Sequence, residues 1–179
     1  MKEKVVNCWG YPLALSRCNF INTEWGTVVY SQCGDFLGKY ETESAAYEEV
    51  KALIAKGNAN LGSLGYTDHS EAHCSLVAER ASFVLQQFGY PAHEIELAKI
   101  AGFMHDIGNA VNRRQHAEYG ALLANEILKQ TDLPAEDRIT IVSAIGNHDE
   151  STGGAVDAVS AALIIADKTD VRRNRVRVK

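Results

Sequence analysis

From about Thr42 onward the chain repeats apolar residues every three or four positions, segment after segment, with polar residues between them. That period belongs to amphipathic helices, and several in succession can bury their stripes only against one another. "TESAAYEEVKALIAKG" sets Tyr47, Val50, Leu53 and Ile54 on one face. "EAHCSLVAERASFVLQQFG" carries a stripe through Leu76, Val77, Ala81, Val84, Leu85 and Phe88, with Asp68 or Ser70 to cap it and Gly89 to end it. Pro91 stands where a first-turn proline belongs for "AHEIELAKIAGFMHDIG". "RQHAEYGALLANEILKQ" is amphipathic through Ala117, Leu122, Leu123, Ile127 and Leu128. Pro134 opens "AEDRITIVSAIGNH", and "DAVSAALIIADKTDVRRNR" supplies a last helix. The Gly/Asn-rich "KGNANLGSLGYTDHS" reads equally as a loop or as an imperfect continuation of the first helix.

Residues 1–41 have a different texture. "NFINTEWGTVVYSQCGDFLGKY" mixes β-branched and aromatic residues with Gly, the pattern of short strands and turns in a small antiparallel element. The chain is therefore expected to be mainly α, with an N-terminal mixed α/β segment over residues 1–56 and a helical bundle over 57–179. Its 179 residues, 46% of them hydrophobic, suffice for one good core. A net charge of −5 argues against a nucleic-acid or membrane-surface partner. No apolar run approaches the roughly 18 residues that span a bilayer, and the start lacks the apolar stretch and cleavage site of a secretory signal. Cys8, Cys18, Cys33 and Cys74 form no C-x-x-C pair and read as reduced thiols of a cytoplasmic protein.

"AGFMHDIGNAV" places His105 and Asp106 at the end of an apolar helical run. Asp167 follows "AALIIA", a run too apolar for an unpartnered carboxylate. Burying that charge alone would cost on the order of several kcal/mol unless a cation or donors compensate. A divalent ion shared with His73, at the edge of the second helix's stripe, would compensate it. Imidazole with carboxylate suits Fe, Mn, Co, Ni or Zn better than Ca or Mg. His93, among Glu94 and Glu96, reads as a solvated first-turn residue outside any site.

The ordered set His73, His105-Asp106 and Asp167 resembles the H…HD…D signature of the HD superfamily of metal-dependent phosphohydrolases. "HCSLVAERA" resembles that family's H-x-x-x-V-A-x-x-A helix, and "AGFMHDIGN" its A-x-x-x-H-D-I-G helix; coverage runs from about Gly62 to Arg173. The resemblance implies an HD-domain helical bundle with the metal at its centre. His116 in "HAEYGALLA" resembles the H-A-x-x-G-A motif of members that hold a second metal, and His148 in "SAIGNHDE" stands where those members carry a further histidine. His73, His105, Asp106, His116, His148 and Asp167 would then hold two divalent transition metals, with Asp106 as the bridge.

His69 lies four residues before His73, so a helix would put both on one face. The spacing is similar to that of cyclic-nucleotide phosphodiesterases, which implies a proton-donating role for His69; a hydrogen bond to Asp68 or Glu71 is the bland alternative. Lys168 directly follows a ligand and Arg172 lies a turn beyond, so both are candidate phosphate contacts, as are Arg113 and Arg114. The expected reaction is hydrolysis of a phosphoester or phosphoanhydride in a small phosphorylated substrate, a nucleotide, by metal-activated water with Asp106, His69 and Lys168 at the chemistry. The six-ligand set also resembles HD-fold oxygenases with a mixed-valence di-iron pair. A regulatory module with a degenerate site is a third reading, and the N-terminal segment offers a dimerisation element for a homo-oligomer.

Overall fold

The computed structural model of the chain describes residues 5–8, 11–14, 18–23, 26–31 and 36–177, with side chains from residue 45 onward except at position 174. The strand-like texture at the N-terminus corresponds to β1 (Val5–Cys8) paired antiparallel with β2 (Tyr11–Ala14). An antiparallel sheet of β3 (Cys18–Thr23), β4 (Gly26–Ser31) and β5 (Phe36–Lys39) follows, in that order. The side chains of Cys8, Cys18 and Cys33 lie outside the described residues. Cys74 is buried and unpaired by disulfide.

Six helices make the rest: α1 (Tyr40–Ser63), α2 (Glu71–Gln87), α3 (Ala92–Met104), α4 (His116–Leu128), α5 (Ala135–Gly146) and α6 (Ala158–Lys168). The Gly/Asn-rich passage continues α1 rather than forming a loop. Asn60 gives that continuation a partner, its amide donating to the carbonyls of Asn109 (3.2 Å) and Ala110 (3.1 Å). The expected boundary between residues 56 and 57 thus falls inside α1. Pro91 and Pro134 each sit one residue earlier than a first-turn proline, at the N-caps of α3 and α5. Asp157 and Ser160 cap α6 reciprocally, so the helix that carries Asp167 starts at a fixed point.

α3 is apolar nearly all round because it is the central helix, packed against α2, α5 and α6. Ala101 of α3 and Val50, Val77, Ile145 and Leu163 from four other helices are fully buried in one core. Each large aliphatic side chain so buried stabilises the bundle by about 1.5–3 kcal/mol. Two close approaches set the geometry near the HD pair. A Cβ at Gly102 would lie 2.6 Å from Ala78 Cα, so only glycine lets α3 cross α2 this closely. One at Gly108 would run into the backbone carbonyl of His116, where a short 3-10 helix (Ile107–Ala110) meets the start of α4.

Two stripe residues are placed differently from the periodicity. Phe88 is 78% exposed at the C-cap of α2, and Leu122 is 65% exposed. α4 instead buries Ala117, Gly120, Ala121 and Ala124 together with Ile127 and Leu128. Its inner face is small because it lies against the 3-10 helix and α5. Among the described residues no helix is long and apolar enough to cross a membrane.

Candidate metal centre

Ends of helices converge at the middle of the bundle. His73 comes from the first turn of α2, and His105 and Asp106 from the C-terminus of α3. His116 opens α4, His148 follows α5, and Asp167 stands in the last turn of α6. The four histidines and Asp106 are buried, none exposing more than 4%. All six residues expected as ligands are therefore brought together. His93 is not among them; it is exposed and pairs with Asp137 at 2.7 Å.

Asp106 is the hub. Its Oδ2 lies 3.2 Å from His105 Nε2 and 3.6 Å from His73 Nε2, while its Oδ1 lies 3.8 Å from His116 Nε2. Asn109 locks this orientation, its amide donating to Oδ1 at 2.7 Å and to the Asp106 carbonyl at 3.0 Å. Asp167 Oδ1 reaches His73 Nε2 at 3.3 Å and His105 Nε2 at 3.7 Å. The imidazole rings form an arc of edge-to-face neighbours from His69 through His73, His105 and His148 to His116, with centroids 4.9–5.4 Å apart.

The rings share one orientation. Nδ1 donates to the carbonyl of Gly102 from His105 (2.8 Å), of Arg113 from His116 (3.1 Å), of Ile145 from His148 (2.6 Å) and of Thr67 from His69 (2.9 Å). A carbonyl oxygen only accepts, so Nδ1 carries the proton and the neutral ring is left with its lone pair on Nε2. His73 does the same with a carboxylate, donating from Nδ1 to Asp170 Oδ2 at 2.7 Å.

These inward atoms fit a divalent cation. His73 Nε2, His105 Nε2 and Asp106 Oδ2 are buried without a hydrogen-bond partner, an arrangement costly unless something electropositive is to be bound. Ligand atoms of His73, His105 and Asp167 lie within 4.8 Å of one another, as do those of Asp106, His116 and His148. Burial raises Asp106, yet the charge of His105 outweighs it and holds the carboxyl well below its usual range. Asp167 is likewise held down against burial by the neighbouring His105 and His73. Burial alone would lower His105, but the neighbouring carboxylates of Asp106 and Asp167 raise it to about 10. Burial and the neighbouring His105 push His148 down to about 4, and burial lowers His116. The buried Cys74 thiol also lies within 4.8 Å of ligand atoms of His105 and Asp106. Burial pushes it well up, so it stays a protonated thiol rather than a thiolate ligand.

The expected substrate contacts fare unevenly. Arg172 is not directed to the centre; its guanidinium makes a two-pronged pair with Asp170, at 2.5 and 2.9 Å, because the two residues share one tight turn. Lys168 is paired with Glu150 at 3.3 Å and partly exposed. Arg113 stacks over Tyr66 at 5.6 Å and approaches the Asn109 side chain, and Arg114 beside it is exposed. His69 faces the centre, its Nε2 4.0 Å from Asp106 Oδ2, with burial lowering its pKa. In this tautomer Nε2 takes up a proton before it can give one. Sequence reasoning missed Asp170 and Asn109. Both lie three residues after a candidate ligand, and an acidic residue alone among the basic residues after Lys168 was the one available signal for Asp170.

The family model of the HD domain matches residues 71–174, more than half of the chain and a span that contains all six candidate ligands. The chain belongs to the HD domain family. HD domains bind divalent metals and form a family of metal-dependent hydrolases, and the His/Asp groups of this HD domain can hold such ions. The chain is also similar to an uncharacterized protein of Methanocaldococcus jannaschii, 27% identical over 139 residues. That alignment covers 66% of this chain and 53% of the relative, so the chain spans about half of the curated protein it matches. No solved structure matches the chain.

Proposed function

We propose that this HD domain protein hydrolyses a phosphoester or phosphoanhydride bond in a nucleotide, using two divalent transition metals drawn from Fe, Mn, Co, Ni and Zn. The observation that carries this reading is the pair of adjoining three-residue groups, His73, His105 and Asp167 in one and Asp106, His116 and His148 in the other, with Asp106 presenting Oδ2 to His105 and Oδ1 to His116. His73, His105 and Asp167 would hold one ion, His116 and His148 the other, and Asp106 would touch both. Ions so held supply Lewis acidity toward a phosphoryl oxygen and make water acidic enough to act as a nucleophile at neutral pH.

The chain's own residues do the rest. Asn109 fixes the Asp106 carboxylate so that neither oxygen rotates away. His69, neutral and one side of it open to solvent, takes a proton at Nε2 and returns it to the leaving oxygen. Arg113 and Arg114 bind the substrate phosphates. Lys168 joins them by exchanging Glu150 for phosphate. The N-terminal segment ahead of the bundle serves as an interaction or dimerisation element, and the protein works in the cytoplasm.

The test is metal analysis of freshly purified protein, followed by a panel of nucleoside monophosphates, cyclic nucleotides and dinucleoside polyphosphates with phosphate or nucleotide release as readout. About two ions per chain and turnover of one panel class is the expected result. Iron with dioxygen consumption and no phosphate release would replace this reading with the oxygenase. No binding after reconstitution with any of the five metals would overturn it.

A further inference from the structure

The basic C-terminal segment, expected to meet phosphate, is instead built into the metal centre from behind. Asp170 is buried, with no exposed side-chain surface, and accepts the Nδ1 proton of His73 at 2.7 Å. Arg172 grips both oxygens of the same carboxylate, Nε donating to Oδ1 and Nη2 to the Oδ2 that His73 also uses. Arg175 adds a second cation, its Nε 3.6 Å from Asp170 Oδ2 and its Nη1 donating to the Asp170 carbonyl at 2.9 Å. Arg175 also donates from Nε to the Asp68 carbonyl (2.9 Å), and its own carbonyl accepts from Asp68 N (2.8 Å). The segment thus clasps the loop that leads into α2 at Asp68, one residue from His69 and five from His73.

We propose that Asp170 is a positioning residue of the metal centre, acting through His73: it fixes the ring so that Nε2 faces the ion and strengthens that nitrogen as a ligand, while Arg172 and Arg175 hold the carboxylate in place. The inference rests on the reading of the His/Asp groups as metal ligands. His105 and His148 lean on neutral backbone carbonyls, and His116 donates to the Arg113 carbonyl with the partly exposed Asp149 Oδ2 at 3.5 Å; of these four rings His73 is the one hydrogen-bonded to a fully buried carboxylate. A charged acceptor behind an imidazole raises its basicity as a neutral one does not, and losing such a partner typically costs about 10–100-fold in metal affinity.

The experiment is Co²⁺ titration of the full chain, followed by its visible absorption and by chelator competition, in wild type and in Asp170→Asn. Asn keeps the size and one acceptor oxygen but removes the charge. The expected result is two sites in wild type and a loss of about 10–100-fold at one of them in Asp170→Asn, with an altered cobalt spectrum, the other site unchanged, and recovery in Asp170→Glu. Equal affinities and spectra in wild type and Asp170→Asn would overturn the positioning role while leaving the metal centre standing. No cobalt binding by wild type would overturn the underlying reading, and the inference with it. Should Asp170→Asn fail to fold, proton NMR of zinc-loaded wild type decides. A His73 Nδ1–H resonance shifted downfield of those of the other ligand histidines supports the carboxylate partner, and one that falls among them overturns it.

Discussion

The two halves of the centre share Asp106 but are built on different principles. On the α2 and α6 side, Asp167 joins the shared carboxylate, and the resulting field draws His105 up to about 10. On the α4 and α5 side the group of Asp106, His116 and His148 holds no second carboxylate, Asp149 standing behind His116 at its Nδ1 (3.5 Å) instead, and burial drives His148 down to about 4. The first half is therefore rich in negative charge and competes with protons for a cation. The second offers imidazoles that are already neutral, so a metal need displace no proton from them. Charge density favours tighter binding in the first half; proton bookkeeping favours readier exchange in the second.

The harshest way to break the comparison is to remove what the halves share. Asp106→Ala should abolish binding of both ions and all turnover, since each half loses a ligand; metal analysis after reconstitution checks it. A variant that kept one full equivalent would show that Asp106 serves only one half. Removing one half at a time is gentler. His148→Ala should drop the metal content from about two per chain to about one and leave a tightly held ion, because the carboxylate-rich half is intact. Asp167→Ala should leave at most one ion, weakly held and stripped by mild chelation. If the two variants retain metal equally well, the asymmetry between the halves is wrong.

How much of this was legible in the sequence depends on what kind of signal each residue leaves. His105-Asp106 after "AGFM" and Asp167 after "LIIA" were legible as candidate ligands because each interrupts an apolar stretch with a group that cannot be buried alone, whereas His116 and His148 stood out only through the resemblance to HD proteins. The helices were legible from their period, and α4 shows the limit. Periodicity favours large residues such as Leu122, but a close crossing demands small ones, and only the packing partner reveals which applies. Arg172 was misplaced because a sequence shows charge and not direction; whether an arginine meets phosphate or Asp170 depends on a two-residue turn. The Nε2 orientation of five histidines was invisible, since it is decided by backbone carbonyls that every residue carries alike.

The mildest test uses pH on metal-stripped protein and addresses the opposing shifts directly. His148 has a folded value, about 4, below its ordinary 6.5, so its contribution to stability is fully present above pH 6.5 and lost as pH falls through 4. His105 has a folded value, about 10, above its ordinary 6.5, so its contribution is present below pH 6.5 and lost as pH rises through 10. Each group acts with a limiting slope of about 1.4 kcal/mol per pH unit. Chemical denaturation in the presence of a chelator should therefore show greatest stability near neutrality, with decline on both sides. His148→Asn should flatten the acid limb between pH 6.5 and 4 and leave the alkaline limb alone. Zinc should abolish the alkaline limb, because a bound cation takes over the role of the His105 proton in balancing Asp106 and Asp167. Stability that keeps rising from pH 7 to 10 in stripped protein would mean that His105 carries no extra proton, and the charge asymmetry between the two halves would lose its physical basis.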